Sequence, residues 1–179
     1  MKVPSGVLPA VRSMKDFEKA LDTKGETIVL LETRLSQLNS LVKYARRAEK
    51  KVIIHFDLIQ GLKPDEYGME YISRQVKPDG IISTKGNIIG LAKKQQILAI
   101  QRMFLLDSLA LEHNQALSER IKPDCIEVLP GVIPSFIENM VKLTNTPIIA
   151  GGLITETKQV EEAFEAGAVA VSSSNTDLW

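Results

Sequence analysis

Eight short apolar segments alternate with amphipathic segments along the whole chain. The apolar segments have the length and branched side chains of buried strands, and the segments between them have the spacing of helices that bury one face. Such alternation favours parallel strands joined by helices. The predicted strands are VLPAVR (7–12), TIVLLE (27–32), KVIIHFD (51–57), GIIST (80–84), LAIQRMF (98–104), CIEVLP (125–130), PIIAGG (147–152) and AVAVSSS (168–174).

This pattern predicts an α/β fold, a compact (β/α)8 TIM-type barrel with short loops. Eight consecutive repeats allow the last strand to pair with the first, which closes the sheet. Such barrels typically have ~250 residues, whereas this chain has 179, so we expect the last helix to be reduced to NTDLW (175–179). An open sheet of the flavodoxin type is the alternative. Because no linker divides the sequence, we expect one domain over residues 1–179.

Capping and turn residues mark where the helices begin and end. Gly167 is predicted to end the helix before the last strand. The similar tetrapeptides VKPD (76–79) and IKPD (121–124) are each predicted to end a helix and lead into the next strand through proline, so we expect the same joint twice. The predicted N-cap residues are Ser13, Ser36, Asp107 and Thr155.

Charge and composition exclude several classes of protein. Twenty-two basic and 22 acidic residues give a formal net charge of +0, so no overall field draws the protein to nucleic acid or to a membrane. The sequence has neither a signal peptide nor an apolar stretch of membrane-spanning length. The single cysteine, Cys125, and two histidines form no recognisable metal-binding pattern. We expect a cytoplasmic protein with no disulfide, metal or membrane partner.

Two strand ends late in the sequence consist of small residues. Predicted strand seven ends in Gly151 and Gly152, and strand eight ends in Ser173 and Ser174. In TIM barrels the loops after these two strands frequently hold a phosphate group. Glycine lets backbone amides approach an anion, and a following helix N-terminus adds partial positive charge. We therefore predict a phosphate site at these four residues, with two ordinary tight turns as the simpler interpretation.

Polar side chains also end most of the other predicted strands, on the face where TIM barrels carry their sites. Because side chains alternate along a strand, His55 and Asp57 are expected to point the same way and Phe56 toward the helices. With Glu32 and Glu127 they are candidates for binding hydroxyl groups or for acid–base chemistry. A structural histidine inside the barrel is the alternative for His55. The remaining polar strand ends are Thr33, Ser83, Thr84, Lys85, Gln101 and Arg102.

Several motifs together carry a resemblance to a known family. They are HFDLIQGL, STK after strand four, LAIQRMFLLDS, KPDCIEVLPGVIP, IIAGGLI and AVAVSSSNTDLW. This set resembles the glycerol uptake operon antiterminator regulatory proteins, which are glycerol-3-phosphate-responsive transcription antiterminators, roughly from Gly6 to Trp179. The resemblance implies a bacterial, barrel-shaped regulator that lets transcription pass a terminator in the leader mRNA of glycerol-utilisation genes when glycerol-3-phosphate is bound. It implies neither catalysis nor a cofactor.

The resemblance also implies roles for the candidate residues. The phosphate falls on the glycines and serines of the last two strand ends, and Lys85 or Arg102 balances its charge. A TIM-barrel enzyme of the isomerase or aldolase type, acting on a small phosphorylated metabolite, is the alternative function. The residues implied for the glycerol hydroxyls are Glu32, His55, Asp57 and Glu127.

A basic segment around YARRAEKK (44–51) is the first candidate for RNA contact, and Lys93 with Lys94 is the second. RNA-binding surfaces concentrate basic residues, which a net charge of zero does not predict. A homo-oligomer that aligns two patches, or a partner in the transcription machinery, would reconcile the net charge of zero with RNA binding. The residues of the first patch are Lys43, Arg46, Arg47, Lys50 and Lys51.

Overall fold

The computed structural model describes residues 2–105 and 119–179, and within them eight parallel strands close into a barrel. Each strand pairs with its sequence neighbours, and the first pairs with the last through Gly6 and Ala170. The predicted (β/α)8 barrel is confirmed, and the open flavodoxin-type sheet is wrong. The strands are β1 (Gly6–Val11), β2 (Thr27–Leu30), β3 (Lys51–His55), β4 (Gly80–Ser83), β5 (Leu98–Phe104), β6 (Cys125–Leu129), β7 (Ile148–Gly151) and β8 (Ala170–Ser173).

Helices cover the outside of the barrel. The last of them is reduced to a 3-10 turn, Thr176–Leu178, as the short sequence predicts. The helix predicted after Asp107 lies outside the described residues apart from its end at residues 119–121. In the described ranges, none of the helices has the length and apolar character needed to cross a membrane. The helices are α1 (Met14–Leu21), α2 (Leu35–Arg47), α3 (Glu66–Tyr71, continued by a π-helical turn, Ile72–Val76), α4 (Gly86–Lys94), α5 (Pro134–Leu143) and α6 (Thr157–Glu165).

Two of the predicted N-caps are displaced and one is confirmed. The Ser13 hydroxyl accepts from the Asp16 amide at 3.1 Å. Helix α2 begins two residues earlier than predicted, because Thr33–Arg34 pairs in parallel with Ile59–Gln60 and the chain turns directly from that ladder into the helix. Thus Ser36 lies inside α2.

At α6 the N-cap position is Glu156 rather than Thr155. The Gln159 side chain accepts from the amides of Thr155 and Glu156 at 2.8 and 3.2 Å, which satisfies donors at the helix start. At the other end of the helix, Gly167 has a φ of 96°, and its amide donates to the Phe164 carbonyl at 2.9 Å. The predicted stop at this glycine is confirmed.

Apolar side chains pack both inside the barrel and between the strands and helices. The interior cluster includes Ile53, Ile82, Ile100 and Cys125. Burial raises the pKa of the Cys125 thiol to about 12, so this residue is a small core side chain that stays protonated. Phe56 packs in the outer cluster beneath the helices, in the direction that strand alternation predicts.

The two KPD sequences form the same joint, as predicted. Lys77 and Lys122 have left-handed φ values of 55° and 53°. The Asp79 carboxylate accepts from the Val52 amide in β3, and the Asp124 carboxylate accepts from the Ala99 amide in β5, both at 2.9 Å. Each aspartate therefore ties the start of its own strand to the neighbouring strand at the N-terminal end of the barrel.

Candidate functional site

A cleft of about 380 Å³ opens at the C-terminal end of the barrel. This volume is in the range of small-molecule sites, and the position is the one where TIM barrels bind ligands. The loops after β7 and β8 and the end of β1 form most of its wall. Polar and loop residues in the lining include Arg12, Arg102, Gly152, Leu153, Thr155, Ser172, Ser173, Ser174 and Asn175.

Three backbone amides of the cleft wall have no acceptor among the described residues. Within residues 2–105 and 119–179, no carbonyl or side chain accepts from the amides of Gly152, Leu153 or Ser174. Gly152 and Leu153 have φ values of 76° and 62°. Helix α6 begins at Thr157, so its N-terminal partial charge lies close to the same loop. Such a wall is suited to an anion.

Gly151 lies below the cleft wall, and packing explains its lack of a side chain. An ideal Cβ at this position would lie 2.6 Å from the Ser172 Oγ and 2.8 Å from the Glu127 Oε1. Gly152, in contrast, lines the cleft in a left-handed conformation that favours glycine. Both glycines stay predicted phosphate contacts, but only Gly152 belongs to the cleft lining.

Hydrogen bonds join the loops after β7 and β8 into one unit. The Ser173 hydroxyl donates to the Ile154 carbonyl at 2.8 Å and accepts from the Asn175 amide at 3.0 Å. The Asn175 side-chain amide donates to the Thr155 carbonyl at 2.7 Å. The Ser173 hydroxyl is therefore engaged in structure, whereas Ser174 is exposed at the cleft.

A buried ion pair lies beneath the cleft. Glu127 is 1% exposed. Its carboxylate accepts from the Arg102 Nε at 2.7 Å and from the Ser172 hydroxyl at 2.7 Å. Arg102 also lines the cleft. The structure thus brings together two predicted residues, Glu127 and Arg102, and the carboxylate orients the guanidinium beside the space where a ligand would lie.

His55 is neutral inside the barrel. The side chain is 3% exposed, and its Nδ1 has no hydrogen-bond partner among the described residues. Burial lowers the pKa of His55 to about 4, and the positive charge of Arg102 contributes in the same direction. An uncharged imidazole with one unpaired nitrogen can accept from or donate to a hydroxyl group.

Asp57 does not follow the strand alternation that was used to predict its direction. The chain leaves β3 at His55 and forms a 3-10 turn over Phe56–Leu58. The Asp57 carboxylate accepts from the Ser83 hydroxyl at 2.6 Å, and from the amide and hydroxyl of Thr84 at 2.7 and 2.9 Å. These three donors make Asp57 a brace for the loop after β4, and a contact with glycerol stays a prediction.

Glu32 and Lys85, like His55, Asp57 and Glu127, are not among the described residues that line the cleft. Glu32 and Lys85 are exposed at the same end of the barrel. Glu32 borders a separate groove of about 80 Å³ together with Arg12 and Ser13. The Lys85 amide donates to the Ser83 hydroxyl at 3.0 Å, so its backbone belongs to the braced loop after β4.

Two residues at the site, Arg12 and Ser172, were not among the predicted site residues. Arg12 follows β1 and lines the cleft, and Ser172 donates to Glu127. The signal for Arg12 was present, because it ends predicted strand one and a closed barrel places strand one beside strand eight. The role of Ser172 could not be predicted without knowing which side of β8 faces the barrel interior.

The predicted basic patch on α2 is only partly exposed. Lys50 is 9% exposed, and its ammonium donates to the carbonyls of Thr23 and Gly25. Its inclusion in an RNA-contacting face is therefore wrong on structural grounds. Lys51 pairs with Glu26 at 3.0 Å. The exposed cations that remain on α2 are Lys43, Arg46 and Arg47.

Comparisons with known proteins agree on one family. The sequence profile of the glycerol-3-phosphate responsive antiterminators matches residues 7–179. The glycerol uptake operon antiterminator regulatory protein from Listeria monocytogenes strain 4b F2365 is 46% identical, with a TM-score of 0.95 over 97% of this chain and 94% of that one.

Two further relatives cover nearly the whole chain. A glycerol uptake operon antiterminator-related protein from Thermotoga maritima MSB8 is 28% identical, with a TM-score of 0.88 over 99% of both chains. The uncharacterized protein YgcP from Escherichia coli K12 is 31% identical over 97% of this chain and 91% of its own. A deoxyribose phosphate aldolase from Aeropyrum pernix, at 14% identity and a TM-score of 0.73, shares the fold alone. The chain belongs to the family of glycerol-3-phosphate responsive antiterminators.

Proposed function

We propose that the cleft binds glycerol-3-phosphate and that the occupied protein binds leader mRNA, which lets transcription of glycerol-utilisation genes continue past a terminator. The observation that carries the proposal is the set of cleft-wall amides, at Gly152, Leu153 and Ser174, for which the described residues provide no acceptor. The family and the Listeria relative support the regulatory part. The proposal places the protein in the cytoplasm, without a cofactor, and as a homo-oligomer.

The phosphate is assigned to the loops after β7 and β8. Amide donors and the N-terminus of α6 favour an anion there. Arg12 and Arg102 supply two positive charges to the same cleft. Because Arg102 also pairs with the buried Glu127, a bound phosphate would share a guanidinium that is already held in place.

The glycerol end is assigned to the barrel interior, next to Arg102. Of the four residues predicted for it, His55 has an unpaired nitrogen, and Glu127 has both oxygens engaged by Arg102 and Ser172. His55 is therefore the leading candidate for a hydroxyl contact. Asp57 and Glu32 are assigned to the outer edge of the site.

One observation supports regulation rather than aldolase catalysis. An aldolase that uses a Schiff base needs a lysine in its site, and the described residues that line this cleft include no lysine. The isomerase alternative rests on the shared fold, which does not determine function.

Calorimetric titration tests the ligand and its location together. We expect saturable binding of glycerol-3-phosphate without formation of a product, and no comparable binding of glycerol or of inorganic phosphate. Gly152→Asp puts a carboxylate beside the proposed phosphate and should abolish binding through charge repulsion. Gly152→Asn is the matched control, because it has the same shape and tolerates the left-handed backbone, and it should retain more of the affinity.

Two results would contradict the proposal. If Gly152→Asp binds glycerol-3-phosphate as tightly as the unchanged protein, the phosphate does not lie at this loop. If the unchanged protein converts the ligand to a product, the protein is an enzyme.

A further inference from the structure

We infer that the RNA phosphate backbone binds the N-terminal end of the barrel, opposite the cleft, on a sector that spans α2 to β6. This inference rests on the proposed function and adds the surface that contacts the RNA. Six exposed cations define that surface, which we name the basic rim. The residues of the basic rim are Arg46, Arg47, Lys77, Lys93, Lys94 and Lys122.

The basic rim is continuous in space although it is divided in sequence. Arg46 and Arg47 lie in the last turn of α2, and Lys93 and Lys94 lie in the last turn of α4. Strands β3, β4, β5 and β6 are consecutive neighbours in the barrel, so the helix ends that precede them are also neighbours. The two patches that the sequence suggests separately therefore belong to one surface.

Direct contacts fix this continuity at both ends of the sector. The Arg46 guanidinium donates to the Lys77 carbonyl, which joins the end of α2 to the joint before β4. The Lys93 ammonium lies 2.6 Å from the Asp124 carboxylate, two residues beyond Lys122. In both KPD joints the lysine has a left-handed φ and lies just before the strand, at the edge of the basic rim.

Most of the positive charge of the basic rim is not neutralised within the protein. Acids at the same end of this sector include Glu49, Asp79, Glu119 and Asp124, and Glu119 lines the same groove as Lys122. The two aspartates pair with Arg46 at 3.9 Å and with Lys93 at 2.6 Å, and each also accepts a backbone amide of a strand. In the described part of the chain, Arg47, Lys77, Lys94 and Lys122 form no ion pair.

The helix dipole alone does not explain this distribution. Cations are generally favoured in the last turn of a helix. Helices α1 and α5 each carry one cation in the last turn and α6 carries none, whereas α2 and α4 carry two each. Lys77 and Lys122 also lie beyond regular helix ends, in the joints. The concentration of cations is therefore a property of one sector.

The basic rim also accounts for an overall charge of zero in an RNA-binding protein. At the cleft end, acids are interspersed with the cations, so the electrostatic attraction for a polyanion is weaker there. These acids include Glu32, Asp65, Glu66 and Glu156. A clustered basic sector supplies the phosphate contacts that drive RNA binding, while the rest of the surface balances the charge.

The test removes three lysines that have no ion pair in the described ranges and leaves the structural cations intact. The rim variant is Lys77→Ala, Lys94→Ala and Lys122→Ala. The matched control is Lys15→Ala, Lys63→Ala and Lys158→Ala, which removes the same charge from exposed positions at the cleft end. Lys158 pairs with Glu162 at 3.5 Å on the surface of α6. Both variants and the unchanged protein are titrated with a glycerol-gene leader RNA in the presence of glycerol-3-phosphate, over a range of salt concentrations.

We expect the rim variant to bind the leader RNA at least about tenfold more weakly near 0.1 M salt, with the slope of log K against log salt reduced by about 2 to 3. The control variant should keep the affinity and the slope of the unchanged protein. Calorimetric titration of the same samples with glycerol-3-phosphate should show equal effector affinity in all three proteins, because none of the substituted side chains lines the cleft.

The possible failures are distinguishable. If the unchanged protein binds the RNA and the rim variant matches the control in slope and affinity, the basic rim is wrong and the proposed function stands. If the unchanged protein binds glycerol-3-phosphate but no leader RNA, the RNA step of the proposed function is wrong, and the basic rim is overturned with it.

Discussion

The two ends of the barrel differ in how many of their polar groups have hydrogen-bond partners within the described residues. At the N-terminal end, Asp79 and Asp124 satisfy strand amides, and Lys50 satisfies loop carbonyls. At the C-terminal end, cleft-wall amides lack acceptors among the described residues, and so does the His55 Nδ1. The His55 imidazole is buried, and buried polar groups without a partner are costly and uncommon. Leu153 and Ser174 are exposed, so their amides are open to solvent or to a ligand. The N-terminal end therefore satisfies these strand and loop groups internally, whereas the cleft end leaves donors that a ligand can use.

The largest effect is expected for the buried ion pair under the cleft. Glu127→Ala leaves the Arg102 guanidinium without its carboxylate in a site that is almost fully buried. We expect the free energy of unfolding to fall by about 3 to 5 kcal/mol, as measured by chemical denaturation. Glu127→Gln keeps the shape and is the control for packing. A loss below about 1 kcal/mol would mean that the pair is not a structural element of the cleft.

Acid should weaken the cleft end through His55. Its pKa of about 4 in the folded protein is below the ordinary value of 6.5, so the unfolded chain binds more protons between these values. The contribution of neutral His55 to stability is complete above pH 6.5 and is lost as the pH falls toward 4, in total roughly 3 kcal/mol.

Denaturation at pH 7 and pH 5 measures this loss, with His55→Asn as the reference that cannot titrate. Because carboxylates contribute to the pH dependence of both proteins, the difference between the two slopes isolates the histidine. We expect the unchanged protein to lose about 2 kcal/mol more than the variant over this interval. Equal losses would show that His55 is not held neutral by burial.

The smallest effects are expected at the N-terminal end, where two joints provide an internal comparison. Asp79→Ala and Asp124→Ala each remove the acceptor of one strand amide, at Val52 and at Ala99. Each should lower the free energy of unfolding by about 1 to 3 kcal/mol, and both should leave the affinity for glycerol-3-phosphate unchanged. A marked difference between the two losses would show that the joints are not energetically equivalent.

The fold was predictable because local patterns of apolar and polar residues indicate where strands and helices alternate. All eight predicted strands occur, and the KPD joints occur twice as expected. The N-caps at Ser36 and Thr155 were misplaced by contacts that local patterns do not reveal: pairing of Thr33–Arg34 with Ile59–Gln60, and the reach of the Gln159 side chain.

The candidate site was predictable to the level of loops but not of side chains. Positions of Gly152 and Ser174 follow from barrel topology. The Asp57 carboxylate accepts from Ser83 and Thr84, and a 3-10 turn replaces the end of the predicted strand. Lys50 looked like part of a helix face, but Glu49 has a left-handed φ of 58°, which ends the helix and directs Lys50 toward carbonyls far away in sequence. Both outcomes depend on backbone turns that composition does not encode.

The most direct measurement is the affinity for leader RNA as a function of glycerol-3-phosphate concentration. We expect the RNA affinity to rise with the effector concentration and to saturate where calorimetry shows the cleft to be full, and we expect RNA to raise the effector affinity by the same factor. An RNA affinity that is identical with and without glycerol-3-phosphate would contradict the central claim that the cleft at one end of the barrel controls RNA binding.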